Sequence, residues 1–268
     1  MRVPRVYVSR LAGRAEVSLP TEEGHHLVTV LRRGAGDPVV IVSEDGGLYR
    51  GHIASARPGA PVAVTVEGPV DGLLDGIPWT VAAALTKGES PELAVRMASE
   101  LGLEGFLPII TERTAVRWDA RSRKLERLER IARESAKQCG RDRPLCLEPP
   151  MGFDACLSRW SAGQLLAGKR SGEGPPARGW IADPAGSLRV EDLAAGRGKG
   201  TGGLPPALFL VGPEGGFSPG EIARAQAAGF GLLGFPTPVL RAPTAVALIA
   251  ALGLVLGGPE ETRPAERR

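Results

Sequence analysis

The sequence predicts an α/β protein in two parts, a small N-terminal β-barrel followed by an open, mostly parallel sheet covered by helices. Three observations predict it. Residues 38–70 hold strand-like runs separated by turn residues. From residue 73 onward, strands alternate with helical segments, the pattern of βαβ units. At 208–229 an apolar strand, a glycine-rich turn and a helix follow one another directly. The expected division is 1–72 for the barrel, 73–256 for the α/β domain and 257–268 for a frayed polar tail.

In the first part, PVVIVSEDGGLYRGHI (38–53) reads as a hairpin turning at Asp45-Gly46-Gly47, and PVAVTVEGPV (61–70) alternates as a third strand. TEEGHHLVTVLRRG (21–34) reads as a short helix, with Thr21 as N-cap and Gly34 as stop after Arg32 and Arg33. In the second part WTVAAAL (79–85) is a strand. Ser90 and Pro91 open a helix that ends at Gly102, and GFLPII (105–110) is the next strand. A helix over 122–138 carries Leu125, Leu128, Ile131, Ala132 and Ser135 on one face and most of its basic residues on the other. Strands follow at 144–148, 179–183, 207–212 and 232–235, with Gly/Pro/Arg-rich loops expected at 161–178 and 195–206. The helix beginning near Pro243 is apolar almost all round, so it should be buried on every side, at the domain centre or in a subunit interface.

Composition excludes several classes. At 268 residues and 43% hydrophobic the chain can bury a sizeable core. The longest apolar run, Ala245–Leu256, is shorter than the ~20 residues of a membrane helix. The N-terminus lacks the apolar core of a signal peptide, and three cysteines without a CxxC pair imply neither a disulfide framework nor a cysteine metal site, so the cytoplasm is the expected address. No metal site is expected. Net charge is only +3, yet eleven basic residues against five acidic ones lie between Arg113 and Arg143. That concentration is either a polyanion-binding surface or a solvated helix face laced with Glu–Arg pairs.

The segment LFLVGPEGGFSPGEIARAQAAG is the sharpest candidate site. Gly212, Gly215 and Gly216 let the backbone approach a ligand closely. Ser218 and Glu221 have capping-box spacing, with Pro219 at the first helical position. The turn is neither GxGxxG nor GxxxxGK[ST], so neither a Rossmann dinucleotide site nor a P-loop is supported. Glu214 suits a cationic or hydroxyl-bearing ligand better than a phosphate. A tight strand–helix turn with no ligand is the alternative.

Together, GPEGGFS and the later VLR with its apolar helix resemble the ribosomal RNA small subunit methyltransferase E family, knotted methyltransferases of the SPOUT class. RVPRVYV, HHLVTVLRRG, LTKGESPELAVRMASELGL, TERT (111–114) and ESAKQCGRDR (134–143) extend the resemblance over nearly the whole chain. It implies a PUA-like RNA-binding barrel and a SPOUT domain with a trefoil knot. It further implies a homodimer with no membrane attachment, S-adenosyl-L-methionine as cofactor, and methylation of N3 of a uridine in 16S ribosomal RNA, within the small ribosomal subunit. The implied cofactor residues are Ile181, Asp183, Leu210, Val211, Gly212, Pro213, Glu214, Gly215, Gly216, Phe235, Leu240 and Thr244. Arg241 is the candidate to stabilise the uracil anion. Arg5, His26, Arg32, Arg33, Gln138, Arg141 and Arg143 are the candidates for RNA contact. Against the family's LGPRILRTETA, this chain reads FPTPVLRAPTA: Pro236, Pro238 and Ala242-Pro243 replace Gly, Arg and Thr-Glu, and Met97 stands for a Lys. Those departures keep two alternatives open, a related knotted enzyme acting on another RNA and a catalytically impaired RNA-binding paralogue.

Overall fold

The computed structural model describes the chain from Val3 to Gly257, except for residues 9–10, 12, 14, 44–46, 58–59, 71–75, 89, 117–122, 142, 165–176, 187–192, 194–203, 236 and 238. The expected turn at Asp45-Gly46, most of both Gly/Pro-rich loops and nearly all of the tail therefore lie outside the described residues. The chain forms two compact units. The first is Met1–Asp75 with Ala136–Pro144, and the second is Gly76–Ser135 with Leu145–Arg268.

In the first unit β1 (Arg5–Val8), β2 (Glu16–Ser18), β3 (Pro38–Ser43), β4 (Leu48–Ser55) and β5 (Ala63–Pro69) form a five-stranded half-barrel in the order β1-β3-β4-β5-β2. β1 joins β3 in parallel and the other pairs are antiparallel. Alternate apolar residues point inward, so Val6, Val39, Ile41, Ile53 and Val64 make the core with Leu27. The predicted helix at 21–34 is shorter and less regular than its pattern implies. α1 (Thr21–His25) has Pro20, not Thr21, at its N-cap, with no side-chain cap, and it continues as a π-helical turn over His26–Val30. The chain leaves this turn at Arg32, whose φ is 53°, before it reaches Gly34. Gly34 donates its N–H to Asp37 Oδ2 instead.

Residues 136–144 belong to this unit although they lie far from it in sequence. Ala136 packs with Tyr7 and Val42. Tyr7 donates its hydroxyl to the Arg141 carbonyl at 3.1 Å, and Lys137 pairs with Glu23, whose other carboxylate oxygen accepts the Tyr7 N–H.

The second unit is built on β6 (Ile77–Ala84), β7 (Leu103–Ile110), β8 (Cys146–Leu147), β10 (Arg178–Ala182), β11 (Ala207–Val211) and β12 (Phe230–Leu233). They run in the order β12-β10-β11-β6-β7-β8, with β9 (Met151–Gly152) also beside β7. Every pair is parallel. Such a sheet needs cover on both faces. Successive β6 residues accordingly enter two different cores, Val81 and Ala83 in one, Ala82 and Ala84 in the other. Cover comes from α2 (Ser90–Glu100), α3 (Lys124–Cys139, whose end passes to the first unit), α4 (Phe153–Ser161), α5 (Pro219–Ala227) and α6 (Ala242–Gly257). Leu128, Ile131, Ala132 and Ser135 of α3 are buried as their spacing predicts.

α6 meets one expectation on one face only. It packs closely on β6, since a Cβ on Gly253 would lie 2.6 Å from Ile77 Cγ2. Yet Leu254 and Val255 are 49% and 78% exposed, so one side of this apolar helix is bare in the single chain. Of its two predicted settings, centre or interface, burial inside the domain satisfies only one face. Among the described residues no helix is long and apolar enough to cross a membrane.

Candidate active site

Three neighbouring strands, β12, β10 and β11, end side by side, and the loops beyond their carboxyl ends line an open cavity of about 290 Å³. Ligand crevices of open parallel sheets lie at this edge.

β11 is buried throughout because Ala207–Val211 sits between β10 and β6. Beyond it the chain turns at Gly212–Gly216, closed by a hydrogen bond from Gly216 N–H to the Pro213 carbonyl at 2.8 Å. Gly216 has φ +67°, a conformation that side-chain-bearing residues rarely adopt. Gly212 is tightly packed: a Cβ there would lie 3.2 Å from the Gly216 carbonyl carbon and from the Phe217 ring. The turn ends in the predicted capping box. Ser218 Oγ accepts the Glu221 N–H at 3.1 Å, and Glu221 Oε2 accepts the Ser218 N–H at 2.8 Å.

Glu221 is fully buried, and its second oxygen accepts the N–H of Glu112, from the turn after β7, at 2.8 Å. Buried carboxylates need such partners. From the same turn Arg113 Nη1 donates to the carbonyls of Gly215 (2.6 Å) and Phe217 (3.2 Å). Thr111 and Thr114 close that turn with their own hydrogen bonds. Outside it, Arg224 bridges Glu112 and Asp154. Hydrogen bonds from Ser218 and then Arg224 hold the Glu112 carboxyl below its ordinary pKa.

The loops after β10 and β12 complete the cavity. Asp183 donates its N–H to the Leu233 carbonyl and accepts the Ala185 N–H on its own carboxylate. The chain between β12 and α6 adds Phe235, Thr237, Val239 and Leu240.

Asp183, Val211, Gly212, Pro213, Glu214, Gly215, Gly216, Phe235 and Leu240 thus line one cavity, as do Arg113 and Phe217, which sequence reasoning did not assign to it. Arg113 had a signal in the TERT motif, but its distance from the glycine turn in sequence concealed the contact. Ile181 and Leu210 are buried in the sheet core and do not line the cavity. Thr244 and Arg241 are exposed and also lie off the lining; the Arg241 carbonyl accepts the Ala245 N–H in the first turn of α6. Among the described residues, Arg113 is the cation on the cavity wall. Pro236 and Pro238 lie outside the described residues. Among the described residues, no cluster of His, Cys, Asp and Glu is arranged to hold a metal ion.

All seven residues expected to meet RNA belong to the first unit, because 136–144 folds there. His26, Arg32, Gln138 and Arg143 are exposed, and Arg5 and Arg33 are half-buried. Arg141 is only 9% exposed, so its side chain offers little surface.

The chain thus joins a glycine-turn cavity at the carboxyl edge of a parallel sheet to a β half-barrel. Residues 75–255 match the model of the RNA methyltransferase domain, and residues 19–65 that of the RNA methyltransferase PUA domain. The chain is 33% identical to ribosomal RNA small subunit methyltransferase E of Mycobacterium tuberculosis over 253 residues, covering 93% of this chain and 89% of the relative. It is 30% identical to the Synechocystis protein of the same name over 232 residues, covering 86% and 70%. A Legionella pneumophila protein solved with bound cofactor SAM superposes with a TM-score of 0.76 at 25% identity, covering 95% of this chain and 98% of that one. The chain belongs to the ribosomal RNA small subunit methyltransferase E family.

Proposed function

We propose that this protein methylates N3 of a uridine in 16S ribosomal RNA, using S-adenosyl-L-methionine held in the cavity beyond β10, β11 and β12. The observation that carries the reading is that cavity, formed around the glycine turn in a chain of this family. Its relatives are named for ribosomal RNA of the small subunit, and the Legionella neighbour holds SAM.

The lining suits that cofactor. The volume is close to the lower end of the usual ligand-pocket range of about 300–1,000 Å³. Glycine backbone at 212–216 offers close-approach hydrogen-bonding groups, Val211, Phe235 and Leu240 offer apolar cover for an adenine, and Asp183 and Glu214 face a cation favourably. When bound, the cofactor supplies a methyl group activated on a positively charged sulfur. The chain's part is to orient the uracil N3 toward it and exclude water, which removes much of the entropic barrier. Among the described residues, Asp183 and Glu214 are the carboxylates on the cavity wall able to take the N3 proton.

Arg5, His26, Arg32, Arg33, Gln138 and Arg143 would meet the RNA backbone, while Arg141 serves the fold through its carbonyl. Residues 1–72, joined by 136–144, would form the RNA-binding domain, the rest of 73–256 the methyltransferase domain with the family's trefoil knot, and 257–268 a tail. The bare face of α6 at Leu254 and Val255 supports a homodimer. A cytoplasmic protein acting on the small ribosomal subunit completes the reading.

The test is calorimetric titration with S-adenosyl-L-methionine, followed by transfer of labelled methyl to small subunits that lack the modification. Saturable binding with label in 16S RNA is expected. Binding with label only in another RNA moves the protein to a related enzyme, and absence of both binding and transfer overturns the reading.

A further inference from the structure

We infer that Arg113 and Glu221 are positioning residues that together preform the glycine turn for its cofactor; the inference rests on the function proposed above. β7 and β11 are not neighbours, because β6 runs between them. The turns at their carboxyl ends are nevertheless fastened together by two side chains that reach in opposite directions. Arg113 carries donors from the Thr111–Thr114 turn to the carbonyls of Gly215 and Phe217. Glu221 returns an acceptor from the start of α5 to the N–H of Glu112, while its other oxygen holds the N–H of Ser218.

Each arm grips backbone rather than side chain, so each fixes the orientation of a peptide plane. The effect is greatest at the Gly215–Gly216 peptide. A trans peptide points its C=O and the following N–H in opposite directions. Here the carbonyl is held by Arg113 and the N–H by the Pro213 carbonyl. A Gly-Gly pair is the most freely rotating link a chain can have. With both sides bonded, that link has one orientation before any ligand arrives. The ordering cost that would otherwise weaken binding has then already been met in folding. Charge alone does not do this: a lysine ammonium is a point donor, whereas the planar guanidinium engages two carbonyls at fixed angles.

The experiment compares wild type, Arg113→Met, Arg113→Lys and Glu221→Gln. Cofactor dissociation constants come from calorimetry, amide hydrogen exchange over 212–218 is measured without cofactor, and kcat and KM are measured on small subunits. In Arg113→Met a rise of about tenfold or more in dissociation constant and in KM for the cofactor is expected, with kcat at saturation within about threefold of wild type. Exchange at Gly216 should accelerate, and Arg113→Lys should recover only part of the loss. Unchanged affinity and unchanged exchange in Arg113→Met overturn the inference, as does a fall in kcat with affinity intact. If Glu221→Gln fails to fold, the Arg113 variants decide alone. If wild type binds no cofactor, the proposed function fails, and so does positioning for that cofactor. Unaltered exchange beside normal wild-type binding instead strikes down the positioning role only.

Discussion

Gly234 and Gly186 lie backbone against backbone. A Cβ on Gly234 would stand 1.9 Å from the Gly186 carbonyl oxygen, and one on Gly186 would stand 2.4 Å from the Gly234 nitrogen. The loops after β12 and β10 can therefore run side by side on the cavity wall only because neither residue has a side chain. Gly234→Ala must push the two loops apart. It is expected to cost about 1–3 kcal/mol, the range for overpacking, and to weaken cofactor binding with it. Urea unfolding and calorimetry on the one variant measure both.

The Cys156 thiol is fully buried on α4, and burial pushes its pKa from 9.0 to about 12. A group whose pKa is raised by folding keeps its full contribution below pH 9 and loses it as pH climbs toward 12. Each unit corresponds to about 1.4 kcal/mol. Stability should therefore fall across that window, and Cys156→Ala should make the fall shallower. Alkylation at pH 8 should modify exposed Cys146 first and reach Cys156 only on unfolding.

Tyr7 ties residues 136–144 into the first unit through its hydroxyl. Tyr7→Phe keeps the ring packed against Val42 and Ala136 but deprives the Arg141 carbonyl of its donor. A loss of about 1 kcal/mol is expected, seen as a lower denaturant midpoint with unchanged slope. If Gln138 and Arg143 contact RNA as proposed, RNA affinity should drop as well, because they ride on the same segment.

Val255 stands 78% exposed beside Leu254 on a helix with no charged residue. Val255→Asp should shift a dimeric protein to monomer in sedimentation velocity without lowering its helix content. Wild type sedimenting as a monomer would remove the homodimer from the proposed function.

Much of the fold was legible because its signals are local. Strand alternation in 38–70, the αβ rhythm from 73 onward and the buried face of α3 follow from side-chain periodicity. The Ser218–Glu221 box joins residues three apart, so spacing alone predicts it. Even locally, competition alters details: Pro20 displaces Thr21 as N-cap, and a left-handed Arg32 ends the turn before Gly34 can.

By itself, then, the sequence determined two parts, a parallel sheet in the second, and a glycine turn with a capped helix at a strand end. Only the tertiary structure decided which side chains meet there. It brought Arg113 to Gly215 across the end of β6, sent residues 136–144 back to the half-barrel, left Arg241 and Thr244 off the cavity and bared one face of α6. Periodicity and capping depend on neighbours within one helical turn. Contacts such as Arg113–Gly215 depend instead on strand order, which places residues about a hundred positions apart at one edge of the sheet.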